Sequence, residues 1–143
     1  MLDHQRIGTR EEMTGLYVSV YRNLHRQCWS VRAEEGPYKG RVMAHMDALN
    51  LTGCTFKVSE AGRQRVLREK RKNVHARVMG LFNRSTALDD LDLPTRHWGL
   101  EGITYNPYKG PNFVTLDGEP RFESLRVTFG PDGQLVALRR NQN

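Results

Sequence analysis

The chain has 143 residues, a formal net charge of +6, and apolar and charged fractions of 38% and 27%. These values are ordinary for a globular protein and exclude a fibrous or disordered class, so we expect a single domain over residues 1–143. The apolar runs are too short to cross a bilayer, and the N-terminus has no apolar run typical of a signal peptide. We therefore expect a cytoplasmic protein that makes no membrane contact and whose two cysteines are reduced.

Strand patterns dominate the first part of the chain, after a polar N-terminal segment over 1–14 that we expect to be loose or to form a short helix. Alternating, β-branched and aromatic residues predict four strands that form an antiparallel meander. These strands are residues 16–21, 28–32, 41–46 and 54–58. The Gly- and Pro-containing stretch 34–40 predicts a turn between the second and third strands.

The period then changes to that of a helix. Ser59 is a suitable N-cap, and Glu60 lies in the first turn, where the helix dipole favours an anion. Basic residues recur at helical spacing and lie toward the C-terminal end, where the dipole favours cations. The pattern predicts one main basic helix over 59–72.

In the second half of the chain, the sequence pattern predicts further strands and an insertion loop over 84–100. This loop is acidic and rich in turn residues. The predicted strands are residues 74–79, 102–106, 123–129 and 134–138. The last two flank Gly130–Gly133, a strong hairpin signal. We therefore expect an α+β fold, in which a mostly antiparallel sheet of six to eight strands carries one main basic helix.

The net charge is concentrated in residues 63–77, which hold seven of the 22 basic residues and one of the 16 acidic residues. A cationic strip on an otherwise neutral chain favours a partner that carries phosphate. Guanidinium groups bind phosphate oxygens in forked pairs and keep their charge at physiological pH. The alternative is a solvated helix face whose charge is met by the acidic segment 89–92.

Two loops carry further candidate ligand residues. Residues 105–113 contain three aromatics, two amides and a lysine, and Tyr108 and Phe113 are suited to stack on a base. The alternative for this loop is a rigid turn whose aromatics cover the sheet edge. In the first hairpin a cluster at the turn forms a candidate second anion site, made of Arg22, Asn23 and Arg26.

The sequence contains no motif of a known catalytic centre. It lacks a phosphate-binding loop, a nucleophile elbow and a dinucleotide fingerprint, and its five histidines lack metal-ligand spacing. We therefore expect a protein that is not an enzyme and that needs no metal or cofactor.

Five runs of the chain resemble a known family. They are residues 21–25, 28–32, 40–47, 58–76 and 103–109, read as YRNLH, CWSVR, GRVMAHMD, VSEAGRQRVLREKRKNVHA and ITYNPYK. In these runs the chain resembles the Thoeris anti-defence sponge family of phage proteins, over most of residues 16–140. The resemblance implies a homo-oligomer that performs no chemistry. It implies that the protein sequesters cyclic ADP-ribose isomers made by TIR-domain immune enzymes, and in some members also cyclic oligonucleotides.

The resemblance also implies where the ligand would lie. In that family aromatic and arginine side chains hold the ligand between protomers. The corresponding residues here are an arginine late in the basic helix, an aromatic of the 105–113 loop, an arginine near the C-terminus and an asparagine. The candidates are Arg68 or Arg71, Tyr108 or Phe113, Arg139 or Arg140, and Asn106.

Three other functions remain open on the residues alone. The same basic helix and aromatic loop would serve a module that binds RNA or single-stranded DNA. A metal-independent nuclease or phosphodiesterase could use His75 or His25 with arginines. A structural interaction protein could dock its basic strip on an acidic partner.

Overall fold

The computed structural model of the protein describes residues 4–5, 9–84 and 98–140, and at 4–5 and 140 only the backbone. Two short helices and ten strands are present in these ranges. The helices are α1 (Arg10–Met13) and α2 (Glu60–Glu69). The strands are β1 (His4–Gln5), β2 (Tyr17–Asn23), β3 (Cys28–Ala33), β4 (Val42–Met46), β5 (Leu49–Val58), β6 (Ala76–Asn83), β7 (Trp98–Thr104), β8 (Val114–Thr115), β9 (Glu123–Phe129) and β10 (Leu135–Arg140).

All ten strands belong to one sheet in the order β1-β4-β3-β2-β6-β5-β9-β10-β7-β8. Every neighbouring pair is antiparallel. The predicted α+β class is therefore wrong, and the fold is all-β. Helix α2 is not a layer of the structure, because only Val66 on it is buried, and the core forms between strands.

The main helix is also shorter than the predicted 59–72. Ser59 caps it as predicted, and its Oγ accepts a hydrogen bond from the Gly62 N–H at 3.2 Å. The helix ends at Glu69 because Lys70 adopts the left-handed conformation, with φ of 57° and its N–H bonded to the Val66 carbonyl. The next residues leave the helix and lead to β6, so much of the basic strip is not helical.

The sheet curls until strands far apart in its order face each other. Strand β3 and strand β9 are separated by three strands, which would place them roughly 19 Å apart in a flat sheet. Instead, the rings of Trp29 and Phe129 meet edge to face with centroids 5.0 Å apart. The Trp29 indole N–H also donates to the Gly130 carbonyl at 2.7 Å. The core lies inside this curl.

A bulge in β5 marks one bend of the sheet. The register between β5 and β6 shifts between Thr52 and Thr55, and Gly53 within it has a φ of +59°. On the neighbouring strand, a Cβ at Gly80 would lie 2.8 Å from the Thr52 carbonyl oxygen. The two glycines allow the strands to bend and approach here, as bulges with glycine commonly do.

The other face of β2 and β3 carries a buried polar cluster. Ser19 is fully buried and donates to Glu34 Oε1 at 2.6 Å, and Arg32 Nε donates to the same oxygen at 3.0 Å. Burial opposes ionisation of Glu34, but these hydrogen bonds and the positive charge of Arg77 outweigh it, so the pKa of Glu34 is lowered. The cluster therefore holds its carboxylate ionised.

Three further predictions concern the N-terminal segment, the insertion loop and the cysteines. Residues 10–13, in the N-terminal segment that we expected to be loose or a short helix, form α1, and Met13 is fully buried. The predicted insertion loop over 84–100 lies mostly outside the described residues, although 98–100 begin β7. Cys28 and Cys54 are free and buried. Burial raises the pKa of both thiols, that of Cys54 to about 12.

Candidate functional site

The described residues enclose a cleft of about 1640 Å³ at one end of the curled sheet. One wall is the end of β2 with the β2–β3 turn. A second is the segment that joins α2 to β6. The others are the end of β7 with the loop that follows it, and the start of β10. The floor is formed by core residues such as Val20, Val78 and Ile103, so the cleft opens onto the interior of the curl.

The cleft is cationic. Four basic side chains line it, namely Arg22, Lys70, Arg71 and Lys72. Among the described residues that line the cleft, none is Asp or Glu. A concave surface lined by charges of one sign attracts ligands of the other sign. The cleft is therefore suited to an anion.

Arg22 provides a fixed positive charge in the cleft. Alternation along β2 places it on the same side as Val18 and Val20, which are buried in the core. Its guanidinium carbon lies 5.1 Å from the centroid of the Trp29 ring, and a Cβ at Gly133 would lie 3.5 Å from its Nε. Nη1 is buried and makes no hydrogen bond to any described residue. A buried donor without a partner costs about 1–3 kcal/mol, a cost that a bound anion would remove.

The cations that follow α2 lie along the rim. Lys70, Arg71 and Lys72 are exposed, follow the end of α2 and line the cleft. Lys70 Nζ lies 5.5 Å from the ring centroid of Tyr108, which is 57% exposed. A cation beside an exposed ring face is suited to a ligand that carries both phosphate and a base.

A hydrogen-bonded chain of three residues lines the cleft beside these cations. His75 Nδ1 lies 3.0 Å from the Asn73 backbone oxygen and 3.1 Å from Asn73 Oδ1. His75 Nε2 lies 2.7 Å from the Tyr105 hydroxyl. Burial raises the pKa of Tyr105, so its hydroxyl stays protonated. The chain is fixed at its far end because Tyr105 packs on buried Phe113, with ring centroids 5.2 Å apart.

Gly62 and Arg63 position this chain from α2. A Cβ at Gly62 would lie 2.6 Å from the Cβ of His75, so only glycine allows the helix this close. Arg63 Nε donates to the Pro107 carbonyl at 2.9 Å and thereby ties the 105–113 loop to the helix. Arg63 is thus a structural residue of the basic strip.

The structure brings both groups of predicted residues to one cleft. Six of the predicted residues line it: Arg22, Asn23, Arg71, Asn106, Tyr108 and Phe113. The first hairpin and the basic strip are therefore walls of a single site in one chain. Phe113 belongs to the core, at 5% exposed, and forms part of the floor.

The other predicted residues do not line the cleft. Arg68 and Arg26 are exposed on α2 and on the β2–β3 turn, outside it. Arg139 pairs with Gly99 and lies four residues along β10 from Leu135, about 13 Å from the cleft end of that strand. The side chain of Arg140 and the acidic segment 89–92 lie outside the described residues.

The two predicted asparagines shape turns. Asn23 Oδ1 accepts hydrogen bonds from the N–H groups of His25 and Arg26, each at 3.1 Å. Asn106 Oδ1 likewise accepts from the Tyr108 N–H at 2.9 Å. These are Asx turns, in which the side chain imitates a backbone carbonyl. The oxygens of both amides are therefore used by the protein itself.

The sequence analysis did not place Trp29, Asn73 or Tyr105 among the site residues, and it named His75 only for the enzymatic alternative. The sequence did contain one signal for the wall formed by β2. Arg22 continues the alternation of Val18 and Val20, so its charged side chain is directed to the side that is buried. The contact between His75 and Tyr105 joins residues 30 positions apart and depends on the curl of the sheet. Nothing in the sequence pattern specifies that curl.

Two kinds of feature are absent from the described residues. In ranges 9–84 and 98–140, no three His, Cys, Asp or Glu side chains are grouped so that they could hold a metal ion. Neither α1 nor α2, the helices of the described part, has the length and apolar character needed to cross a membrane.

Comparison with known proteins gives a family. The sequence profile of the family described as "Mycobacterium phage L5 gene 82 protein" matches residues 12–137. The gene 82 protein of Mycobacterium phage L5 is 35% identical over 127 residues, which cover 84% of this chain and 94% of that protein. No solved structure matches this chain. Neither the description of this family nor the name of its member states an activity.

Proposed function

Because this chain belongs to the Mycobacterium phage L5 gene 82 protein family, we propose that it acts in the cytoplasm of an infected host. There it captures a phosphate-bearing nucleotide in the cleft and does not change it. In its finer form, the proposal is that the nucleotide is a cyclic immune signal, such as a cyclic ADP-ribose isomer or a cyclic oligonucleotide. Capture would then block an anti-phage defence. The finer form comes from the resemblance to the sponge family.

The observation that carries the proposal is the state of Arg22. Its Nη1 is buried in a cleft whose described lining has no acidic residue, and it makes no hydrogen bond to any described residue. The guanidinium is held by Trp29 and by the β9–β10 hairpin, so it is pre-organised. Pre-organised guanidinium groups bind phosphate oxygens with charge-assisted hydrogen bonds.

The shape of the cleft supports a nucleotide rather than a simple ion. Ligand pockets commonly have volumes of about 300–1,000 Å³, and this cleft is larger, at about 1640 Å³. Apolar and aromatic side chains make up the floor, and polar groups converge from several elements. Such a site can enclose a base and a sugar while the cations hold the phosphates.

The family resemblance implies a ligand held between protomers, whereas the structure has a large cleft within one chain. A homo-oligomer remains a prediction of the family resemblance. Light scattering tests it, with one chain of 16.5 kDa as the reference mass.

The proposal is tested by capture and recovery. The protein is incubated with products of a TIR-domain enzyme, freed of unbound ligand by filtration and denatured, and the released small molecules are identified by mass spectrometry. We expect intact cyclic nucleotide in the denatured fraction and none in the filtrate. Absence of any captured nucleotide contradicts the proposal. Recovery of a hydrolysed or rearranged product would instead favour an enzyme that uses His75 or His25.

A second candidate function is supported by the rim. Lys70, Arg71 and Lys72 are consecutive, exposed and outside the helix, beside exposed Tyr108. An extended cationic track with an aromatic platform also suits RNA or single-stranded DNA. The affinity of such binding falls steeply as the salt concentration rises. The slope of log affinity against log salt concentration reflects the number of phosphates that the protein contacts. A weak salt dependence with an oligonucleotide would exclude this alternative.

A further inference from the structure

We propose that Tyr105 acts in the cleft as a hydrogen-bond acceptor that selects the ligand. The nucleotide must then direct a donor, either a sugar hydroxyl or an exocyclic base amine, at the Tyr105 oxygen. This inference rests on the proposed function, because it specifies the chemistry of a ligand in the same cleft. It concerns a residue that neither the sequence motifs nor the family resemblance assigns.

The tautomer of His75 is set on the side of its ring that faces Asn73. His75 Nδ1 faces the backbone oxygen and Oδ1 of Asn73, at 3.0 and 3.1 Å. A carbonyl oxygen can only accept a hydrogen bond. Nδ1 must therefore carry the proton, and the Asn73 amide orientation agrees, because its Nδ2 donates to the Gly62 carbonyl at 3.4 Å.

The polarity of the next hydrogen bond follows from this tautomer. A neutral imidazole with its proton on Nδ1 has only a lone pair on Nε2. The Tyr105 hydroxyl, 2.7 Å away, must then donate its single proton to Nε2. The oxygen of Tyr105 is left with lone pairs alone. Any further hydrogen bond to this oxygen has to come from a donor.

Neighbouring contacts prevent the chain from rearranging. The absent side chain at Gly62 lets α2 pack directly on His75. The rings of His75 and Tyr105 meet edge to face with centroids 5.4 Å apart, and Tyr105 packs on Phe113. Arg63 holds the following loop by its bond to Pro107. The acceptor is thus fixed in place before a ligand arrives.

This fixed acceptor orients the ligand. A phosphate oxygen has no proton at neutral pH and is repelled by the lone pairs of Tyr105, whereas Arg22 and the rim cations attract it. Phosphate and donor therefore bind at different elements, the phosphate at the end of β2 and the rim, and the donor at the end of β7. A nucleoside phosphate satisfies both requirements, but inorganic pyrophosphate satisfies only the first.

The test compares ligands and variants by titration calorimetry. The ligands are adenosine diphosphate, its dideoxy analogue that lacks both sugar hydroxyls, inosine diphosphate that lacks the base amine, and pyrophosphate. We expect the wild type to bind adenosine diphosphate about tenfold more tightly than the analogue that lacks the relevant donor, which is the effect of one net hydrogen bond. If the dideoxy analogue binds weakly, the donor to Tyr105 is a sugar hydroxyl. If inosine diphosphate binds weakly, the donor is the base amine.

In Tyr105→Phe the preference should fall to about one, through weaker binding of adenosine diphosphate alone. Tyr108→Phe is the matched control, since it removes a hydroxyl from the same loop and should keep the preference. A wild type that binds all three nucleotides equally overturns the inference, as does a Tyr105→Phe variant that still discriminates. The proposed function survives either result. If neither pyrophosphate nor any nucleotide binds to the wild type, the proposed function fails, and the inference fails with it.

Discussion

At the scale of single residues, the site depends on where each charge is held rather than on how many charges there are. Arg63 belongs to the basic strip but is used to tie a loop, with only 15% of its side chain exposed. Arg65 pairs with Glu69 at 2.7 Å. Arg22, outside the strip, lines the cleft and has a buried guanidinium nitrogen without a hydrogen-bond partner among the described residues; Arg77, in the strip, has one as well but does not line the cleft. Basic residues that look equivalent in the sequence therefore differ in the structure: some hold the fold together and others line the cleft.

Arg71 and Arg68 offer a direct comparison of a rim charge with a helix charge. Arg71→Glu places an anion at the cleft entrance, so we expect affinity for a nucleotide diphosphate to fall at least tenfold, as charge reversal at a phosphate contact costs more than about 1.4 kcal/mol. Arg68→Glu is the matched control, because it makes the same change on an exposed side chain outside the cleft. Calorimetric titration of both variants measures the difference. Equal loss of affinity in the two would show that only overall charge matters.

Glu34 links pH to stability. Its pKa is lowered in the folded state, so ionised Glu34 stabilises the fold above the pKa of the unfolded chain, and this contribution is lost as pH falls through the folded value. We expect Glu34→Gln to reduce the free energy of unfolding by about 1.5 kcal/mol at pH 7. The difference from wild type should disappear in strongly acidic solution. Urea unfolding at both pH values measures it, with exposed Glu123→Gln as a control that should show little change.

At the scale of elements, the cleft is a consequence of the curl of the sheet. The bulge at Gly53 and the close approach at Gly80 lie on adjacent strands at the same level of the sheet and mark one bend in it. The curl brings β3 and β9 together through Trp29 and Phe129. Strand ends form most of the cleft walls, and the segment that joins α2 to β6 forms another.

Gly80→Ala tests this bend. The new Cβ would lie 2.8 Å from a backbone carbonyl that cannot move without disturbing the ladder, and we expect a loss of about 2 kcal/mol in unfolding free energy. Gly102→Ala is the matched control, since its nearest contact is the Leu116 side chain at 3.7 Å. Thermal unfolding compares the two. A Gly80→Ala variant as stable as Gly102→Ala would mean that the strands have room to separate.

Sequence patterns predicted elements better than their arrangement. The interval 123–129 matches β9 at both ends, and 28–32 matches β3 to within one residue. Strand β5 was predicted only over 54–58, because Gly53 interrupts the pattern where the bulge lies. The α+β class failed because the helical pattern of one exposed helix says nothing about which layer buries the core. The structure joins the two predicted sites, the first hairpin and the basic strip, into one cleft. This depends on pairing between strands far apart in the sequence, which local sequence patterns do not specify.

At the scale of the whole molecule, the fold explains how the described ranges of a 143-residue chain can offer a large site. One sheet supplies the core on the inside of its curl and opens into the cleft at one end. The cations of the cleft come from two separate parts of the sequence, near residue 22 and at residues 70–72. The proposed hydrogen-bond acceptor comes from a third part, at residue 105. The described part of this chain thus combines cationic side chains, aromatic rings and the Tyr105 hydroxyl in one cleft.

The walls of the cleft come from four separated parts of the chain, around residues 20–29, 66–78, 102–116 and 133–136. A partly folded chain therefore cannot hold a guest, and occupancy must be coupled to the global folding equilibrium. A guest present at one hundred times its dissociation constant would stabilise the entire molecule by about 2.7 kcal/mol. Amide hydrogen exchange would then slow even in strands that never touch the guest, since those amides exchange only through complete unfolding.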